Sequence, residues 1–379
     1  MLLIQNGIIH NGVDPAPFRA DILIDEGRIL KIEKDIPVNG VEVWDAAGLE
    51  LYPGFIDAHT HIGMFGFSDP SKDDVESFDR CTPNHRGIDA INPLGPSFRQ
   101  ALKAGVTCVC VGPGSVGCLS GTHLAVKTHG IRIDDMVVKN PVAMKAALGA
   151  NPKMSKDKVS TRMTIAAVIR ETLIRAKEYA RRVDKAGGDP DRMPPYDPKL
   201  EALIPVVKKQ IPLKVHAHRS DDVFTAIRIA KECDVCLTLE HVADGELIAP
   251  MLAAEGYPVA VGPHISQSKK EENANKSPAA AAALIRAGCQ VSVMTDAPVM
   301  AEEYLPIAAG LLMREGISPF EALQTITINP AKHLGIADRV GSLEVGKDAD
   351  IVVTDGFPLQ TSVKPKAVFV NGLPVWEDR

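Results

Sequence analysis

Two histidines lie two positions apart in residues 54–63, GFIDAHTHIG, a stretch that otherwise has the composition of a buried strand. Side chains alternate between the faces of a strand, so His59 and His61 point the same way. Two imidazoles in an apolar interior are costly unless their nitrogens have partners. A divalent cation removes that cost, because neutral imidazole is a common metal ligand. The pair alone is a weak signal, since two hydrogen-bonded structural histidines fit the same pattern.

Three further residues of ligand type lie at the ends of later predicted strands. His216 is near the end of the fifth strand, His241 ends the sixth, and Asp296 closes the eighth. Random scatter of 11 histidines would not place four of them at strand ends and follow them with an aspartate on the last strand. We therefore expect a metal site formed by His59, His61, His216, His241 and Asp296.

The elements that must position these residues alternate between strand and helix. Period-two or apolar runs predict eight strands, and a helical stripe such as that of residues 163–183 follows most of them. This order predicts a (β/α)8 TIM barrel over residues 53–335, whose active site would lie at the carboxyl ends of the strands. A doubly wound sheet is the alternative, and the third crossover lacks a convincing helix. The predicted strands are residues 55–62, 106–111, 123–129, 143–148, 212–218, 236–241, 258–262 and 290–296.

Both ends of the chain differ from this middle part. They consist of short alternating segments with two-residue hairpin signals at Glu26-Gly27 and Asn371-Gly372. We expect residues 1–52 plus 336–379 to form one small β-sandwich-like domain. Residues 64–95 are a polar insertion after the first barrel strand, and an insertion at this position usually covers a site. We interpret it as a lid.

Composition excludes several classes of partner. The net charge is −6 and the sequence contains no long lysine- or arginine-rich run, which disfavours nucleic acid and anionic membranes as partners. No apolar run approaches the roughly 20 residues that a membrane-spanning helix needs. Seven scattered cysteines indicate a reducing compartment, and the C-x-x-C at Cys233 and Cys236 is interpreted as packing. Without a recognisable signal peptide, we expect a cytoplasmic protein with a small-molecule substrate; a homo-oligomer stays open.

A glycine motif after the second predicted strand could be a dinucleotide-binding site or a loop of the barrel. Gly112, Gly114 and Gly117 match the G-x-G-x-x-G of dinucleotide sites. Pro113 interrupts the turn, however, and a strand follows where such a site requires a helix. We interpret the motif as a barrel loop.

Three stretches of the chain resemble the amidohydrolase superfamily of metal-dependent hydrolases, particularly its imidazolonepropionase-like and prolidase-like branches. They are ADILIDEGRI, PGFIDAHTHIG and NPAKHLGIADRVGSLEVGKDADIVV. The resemblance covers nearly the whole chain. It implies that the histidines at positions 59, 61, 216 and 241 bind metal, and that Asp296 is both a ligand and a proton shuttle.

Binuclear members of that superfamily add a carboxylated lysine that bridges two metals. Lys145, on the predicted fourth strand, matches this position. A lysine that reaches solvent at a strand end is an equally open reading, and the site would then hold one metal. Imidazole and carboxylate ligands favour Zn²⁺, with Mn²⁺, Fe²⁺ and Co²⁺ as alternatives.

The resemblance also implies catalytic roles. Asp296 would take a proton from the attacking water and deliver it to the leaving nitrogen. His241 or His218 would polarise the substrate carbonyl. His218 lies two residues after His216 and shares its strand face, so it either lines the pocket or fixes a ligand.

Substrate contacts are predicted less directly. Arg219 is a candidate anchor for a carboxylate, and His264 together with Lys269 either contacts the substrate or is a solvated loop residue. His123 is expected at the opposite rim of the barrel, with no role. The predicted function is metal-dependent hydrolysis of an amide, lactam or dipeptide C–N bond. A deaminase is disfavoured, because Arg219 stands where ring deaminases generally carry a glutamate, and a non-catalytic amidohydrolase-like scaffold is the remaining alternative.

Overall fold

A computed structural model describes residues 1–38, 40–65, 72–157, 159–268 and 270–378. The strands divide between two sheets. Their bounds, in chain order, are β1 (Leu2–Ile9), β2 (Phe18–Asp25), β3 (Arg28–Glu33), β4 (Glu42–Asp45), β5 (Glu50–Pro53), β6 (Phe55–Thr60), β7 (Val106–Val111), β8 (Leu119–Lys127), β9 (Val137–Ala147), β10 (Leu213–Ala217), β11 (Leu237–His241), β12 (Val259–Val261), β13 (Val291–Val293), β14 (Ile351–Thr354), β15 (Pro365–Val370) and β16 (Leu373–Glu377).

The helices lie between barrel strands or after the last of them. They are α1 (Pro96–Lys103), α2 (Ile133–Met136), α3 (Arg162–Ala186), α4 (Pro198–Glu201), α5 (Ile204–Val207), α6 (Ser220–Glu232), α7 (Gly245–Glu255), α8 (Pro278–Arg286), α9 (Leu305–Arg314), α10 (Pro319–Gln324) and α11 (Ile328–Leu334). Within the described residues, none of them combines the length and the apolar composition that a bilayer crossing requires.

The barrel consists of β6 to β13, which pair in chain order. The sheet is nearly closed where the segment after β13 meets the end of β6: Asp296 N donates to His59 O at 3.1 Å, and His61 N donates to Ala297 O at 2.9 Å. The predicted (β/α)8 barrel is confirmed, and each predicted strand overlaps an observed one.

One strand of the barrel runs against the others. β8 is antiparallel to both β7 and β9, whereas the other pairs in the sheet are parallel. The reason is the connection: β7 passes to β8 through residues 112–118 without a helix, and only the single turn of α2 separates β8 from β9. A parallel neighbour requires a long crossover, and the chain has none here.

The second sheet takes strands from both ends of the chain. Its order is β16-β15-β14-β5-β1-β2-β3, with β4 paired to β1. Both predicted hairpin turns are present, and Glu26, Gly27, Asn371 and Gly372 all have positive φ, as a type I′ turn requires. The division into domains at residues 53 and 335 stays a prediction.

Local sequence signals explain the helix termini. Thr161 caps α3 and Ser277 caps α8, each accepting a hydrogen bond from a backbone N–H of the first turn, and Pro278 occupies the first turn of α8. Helix α6 begins at Ser220, whose N–H donates to the Asp244 carboxylate at 2.8 Å. All seven cysteines are free thiols.

Candidate metal centre and active site

The ends of β6 and β13 bring two histidines to one carboxylate. Asp296 Oδ1 lies 3.5 Å from His59 Nε2 and 3.3 Å from His61 Nε2. Asp57 fixes this arrangement, since its carboxylate accepts from His59 N at 2.9 Å and from Thr295 N and Oγ1 at 2.9 and 2.6 Å. The buried aspartate thus joins the strand that carries His59 to the segment that carries Asp296.

A second group of histidines comes from β10 and β11. Ligand atoms of His216, His218 and His241 all lie within 4.8 Å of one another, and so do those of His59, His241 and Asp296. His241 belongs to both groups, so the two form one continuous cluster. The structure therefore brings together every predicted histidine ligand, and it adds His218 to them.

Backbone conformation contributes to this convergence. His241 and Asp296 have φ angles of 78° and 52°, which non-glycine residues rarely adopt. Such conformations break strand alternation, and they concentrate at functional sites where the surrounding structure supports the strain. Here they occur at the last residue of β11 and three positions after the end of β13, where both side chains belong to the common centre.

The outward nitrogens of three histidines are held by acceptors. His61 Nδ1 donates to Gly112 O at 2.7 Å, and His241 Nδ1 donates to Gly262 O at 3.0 Å. A carbonyl oxygen can only accept, so in both rings Nδ1 carries a proton, and in the neutral form of each ring the lone pair is on Nε2. His59 Nδ1 lies 3.1 Å from a carboxylate oxygen of Glu240. Metal-binding histidines are usually oriented in this way.

Inward-facing nitrogens lack partners. Among the described residues, His216 Nδ1 and Nε2, His218 Nδ1 and His241 Nε2 are buried and have no hydrogen-bond partner. Buried polar atoms nearly always have a hydrogen-bond partner, so a cluster of buried nitrogens without one needs an explanation. Burial also lowers the pKa of His216 and His218 well below its usual value and that of His241 to about 4, which keeps the rings neutral and able to ligate. The donor set fits a divalent cation.

A carboxylate beneath the cluster was not found by sequence reasoning. Glu240 is fully buried and contacts His59 Nδ1, Lys214 Nζ at 2.8 Å and His333 Nε2 at 3.1 Å. Burial alone would raise its pKa, but Lys214 and His333 hold it well below its usual value. The available signal was the pair of charged residues inside strands β10 and β11, which are otherwise apolar.

Lys145 lies inside the cluster. Its Nζ is 3.0 Å from His59 Nε2, the side chain is completely buried, and burial lowers its pKa to about 8. The alternative reading of a strand-end lysine that reaches solvent is wrong. Its carboxylation stays a prediction, which the lowered pKa supports because only the neutral amine combines with carbon dioxide.

His123 is misplaced by the sequence prediction. Because β8 runs antiparallel, His123 lies beside the centre, with its ring centroid 5.6 Å from that of His59, and not at the opposite rim. Its Nε2 donates to Pro113 O at 3.0 Å. A Cβ on Gly112 would lie 2.3 Å from this ring, which explains the first glycine of the G-x-G-x-x-G motif by packing against a histidine.

The residues predicted to contact the substrate differ in their surroundings. Arg219 forms a two-point ion pair with Asp221 at 3.0 and 2.9 Å and its side chain is 44% exposed, so its guanidinium is already bound to a carboxylate. His264 Nε2 is buried without a partner in the described part of the chain, and burial together with Lys276 lowers the pKa of His264 to about 4. Lys269 lies outside the described residues.

The insertion after β6 is described only in part, because residues 66–71 are not included. Its described residues line a cavity of about 430 Å³, together with Pro113 and Ser120. The ring of Phe65, at the start of the insertion, lies 6.4 Å from that of His61, and Asp74 O, in the cavity wall, accepts from Gly114 N at 2.6 Å. The insertion therefore lies next to the histidine cluster, as a lid requires, and closure stays a prediction.

Comparison with known proteins gives the same family from sequence and from structure. An amidohydrolase from Thermotoga maritima MSB8 has 35% sequence identity and a TM-score of 0.96, with 100% of both chains covered. The amidohydrolase tasK of Hapsidospora irregularis is 27% identical over 401 residues, and the alignment covers 97% of this chain and 41% of that protein. This chain thus spans less than half the length of tasK.

A dihydroorotase from Elusimicrobium minutum (strain Pei191) is 24% identical over 411 residues, which cover 93% of this chain and 88% of that protein. The profile of the Amidohydrolase family matches residues 51–375, from the last strand before the barrel to the final hairpin. The chain belongs to the amidohydrolase family.

Proposed function

We propose that this protein is a metal-dependent hydrolase that cleaves the C–N bond of an amide, lactam or dipeptide in a small molecule. The observation that carries the proposal is the cluster itself: five imidazoles and one carboxylate, brought together from four strand ends, with buried nitrogens that have no other partner in the described structure. Family membership and the names of the relatives support the same reaction class.

His59, His61, His216, His241 and Asp296 would hold the cation, for which Zn²⁺ suits the ligand types best and Mn²⁺, Fe²⁺ and Co²⁺ are alternatives. Such a cation supplies Lewis acidity and lowers the pKa of a water molecule toward neutrality. A carboxylated Lys145 would supply the additional anionic ligand for a second cation, so this residue decides between one metal and two.

Asp296 would move the proton. Burial opposes ionisation of its carboxyl group, but the imidazoles of His241, His61 and His59 hold its pKa well below the usual value. The carboxylate is therefore available at neutral pH to accept a proton from the attacking water. It would then return that proton to the leaving nitrogen as the C–N bond breaks.

His218 is the better candidate for the group that polarises the substrate carbonyl. His241 has its one ring proton committed to Gly262 O, so its Nε2 cannot donate. His218 forms no such bond in the described structure, and its ring lies 4.7 Å from that of His216. An N–H of His218 could therefore stabilise charge on the carbonyl oxygen.

Two alternatives are tested by the same experiment. A ring deaminase is disfavoured, since Arg219 is paired to Asp221 at the position of the expected glutamate. A scaffold protein that has lost catalysis would not need the orphaned nitrogens. We also propose the cytosol as the compartment, because free thiols suit a reducing environment.

The experiment is a hydrolysis screen on protein stripped with a chelator and reloaded with Zn²⁺ or Mn²⁺. The substrates are lactams, hydantoins, N-acyl amino acids and Xaa-Pro dipeptides. We expect turnover that is lost with the metal and restored on reloading. Ammonia release from purines or pyrimidines would show a deaminase instead. A protein that neither binds metal nor turns over any of these compounds would support the scaffold.

A further inference from the structure

Lys270 lies in the loop that follows β12, at the carboxyl ends of the barrel strands. It immediately precedes a short 3-10 helix, Glu271–Asn273, and its side chain is half-buried. Neighbouring loops of this face carry the histidine cluster. The residue was not singled out from the sequence, where Lys269 was preferred.

The loop is held in place by contacts to two other loops. Glu272 is buried and accepts from Ala150 N at 2.7 Å, in the segment after β9. Asn275 Nδ2 donates to Asp244 Oδ1 at 2.8 Å, just after β11. Lys270 N itself donates to Asn273 Oδ1 at 3.2 Å. The backbone at Lys270 is therefore fixed by the barrel rim.

The ammonium group of Lys270 has no carboxylate within ion-pair distance among the described residues. This sets it apart from Lys199, Lys208 and Lys231, each of which lies within 2.8 Å of a carboxylate oxygen. Burial lowers the pKa of Lys270, while Glu272 and Asp296 oppose that change. Asp244, which binds Asn275, donates its N–H to His218 O at 3.2 Å, and Leu148 N, two residues before Ala150, donates to His216 O at 2.9 Å. The loop that carries Lys270 therefore lies beside the strand end that carries two of the clustered histidines.

We propose that Lys270 binds an anionic group of the substrate, most simply a carboxylate next to the scissile amide, and that the substrates are therefore carboxylated amides such as N-acyl amino acids or dipeptides. The inference rests on the proposed function. It assigns to Lys270 the anchoring role first considered for Arg219, whose guanidinium is paired with Asp221. A half-buried ammonium carried on a fixed backbone can recognise a carboxylate through a charge-assisted hydrogen bond.

The test compares substrates that differ only in that group. N-acyl amino acids and dipeptides are assayed as pairs, each with a free carboxylate and as the corresponding carboxamide. Wild type should prefer the carboxylate member. Lys270→Met should raise KM for that member by about 10- to 100-fold, the range for a hydrogen bond to a charged group, and leave the carboxamide unchanged. Lys270→Arg should restore part of the preference. Lys185→Met, an exposed lysine at the end of α3, is the control for charge loss alone.

Binding is measured separately from turnover. Calorimetric titration of the same pairs into Asp296→Asn and Asp296→Asn/Lys270→Met proteins should show that only the carboxylate member loses affinity. Equal effects on both members, or a wild type without preference in any pair, would overturn the role of Lys270. Absence of all amide turnover by the metal-loaded protein would instead contradict the proposed function, and the titrations would still report on Lys270.

Discussion

Two buried polar clusters lie on the barrel, and they differ in whether their atoms are satisfied. Near the far end of β8, Lys127 Nζ lies 2.7 Å from Asp350 and 3.0 Å from Asp348, and all three side chains are buried. Arg339 forms a second ion pair with Asp348 at 2.8 Å, and Asn371 N donates to Asp350 at 3.0 Å. Every charge in this cluster, which we name the Lys127 network, has its partner within the chain.

The histidine cluster is the opposite case. The Nδ1 atoms of His59, His61 and His241 are bonded, but both ring nitrogens of His216, Nδ1 of His218 and Nε2 of His241 have no partner in the described residues. A satisfied network of charges contributes to the connection between the barrel and the terminal sheet. A cluster of polar atoms without partners costs free energy to bury, and that cost is offset only when a ligand binds to those atoms. We infer that the first cluster is structural and the second is functional.

The largest expected effect is on catalysis. Asp296→Asn removes both a proposed ligand and the proposed proton carrier, so kcat should fall by about 10³- to 10⁴-fold for whichever substrate is found. Steady-state kinetics and thermal unfolding of the metal-free protein are measured together. An unchanged kcat would refute the catalytic role of Asp296. A variant that stays folded but has lost activity would show that Asp296 is needed for catalysis and not for stability.

The Lys127 network should respond in stability and not in metal binding. Lys127→Met leaves the buried carboxylate of Asp350 without its cation and leaves Asp348 with Arg339 as its close cation, which should cost about 3–5 kcal/mol of the free energy of unfolding in urea. The matched control is Lys366→Met, whose partner Asp355 at 3.1 Å is exposed and whose loss should cost about 1 kcal/mol or less. Equal losses in the two variants, or a loss of metal from folded Lys127→Met, would contradict the comparison.

His123 tests how far the functional cluster extends. Its Nε2 donates a hydrogen bond to Pro113 O, and the carbonyl oxygen of the neighbouring Gly112 accepts the hydrogen bond that orients the ring of His61. His123→Phe keeps a ring against Gly112 but loses the hydrogen bond, so metal affinity should fall by about 10- to 100-fold. Competition with a chelating dye measures this, and His129→Phe, at an exposed histidine, should bind as wild type does. Wild-type affinity in His123→Phe would exclude it from the cluster.

The smallest effect is a pH dependence of the metal-free protein. Burial lowers the pKa of His216 well below 6.5, so the unfolded chain binds its proton first as pH falls below about 6.5. The free energy of unfolding should therefore decrease with falling pH, by up to about 1.4 kcal/mol per pH unit for each such histidine. His216→Gln should reduce this slope, whereas Lys127→Met should leave it unchanged. A slope unaffected by His216→Gln would mean that the ring is solvated.

The two clusters also differ in how far the sequence could predict them. His59, His61, His216, His241 and Asp296 were found because strand ends and alternation are local signals. Glu240 and His333 were missed because their contact joins β11 to α11, 93 positions apart, and no local pattern records it. His123 was misplaced because alternation is the same in parallel and antiparallel strands. Lys270 depends on loop conformation, which the spacing of residues does not specify.

Metal content is the most direct test of the proposed metal centre. Purified wild-type protein, dialysed against Zn²⁺ and then metal-free buffer, should retain one or two equivalents by inductively coupled plasma mass spectrometry. The double variant His59→Asn/His216→Gln should retain less than about a tenth of that amount while remaining folded, and Lys127→Met should retain the wild-type amount per folded molecule. A wild-type protein that holds no metal, or a double variant that holds as much as wild type, would contradict the assignment of this cluster as a metal site.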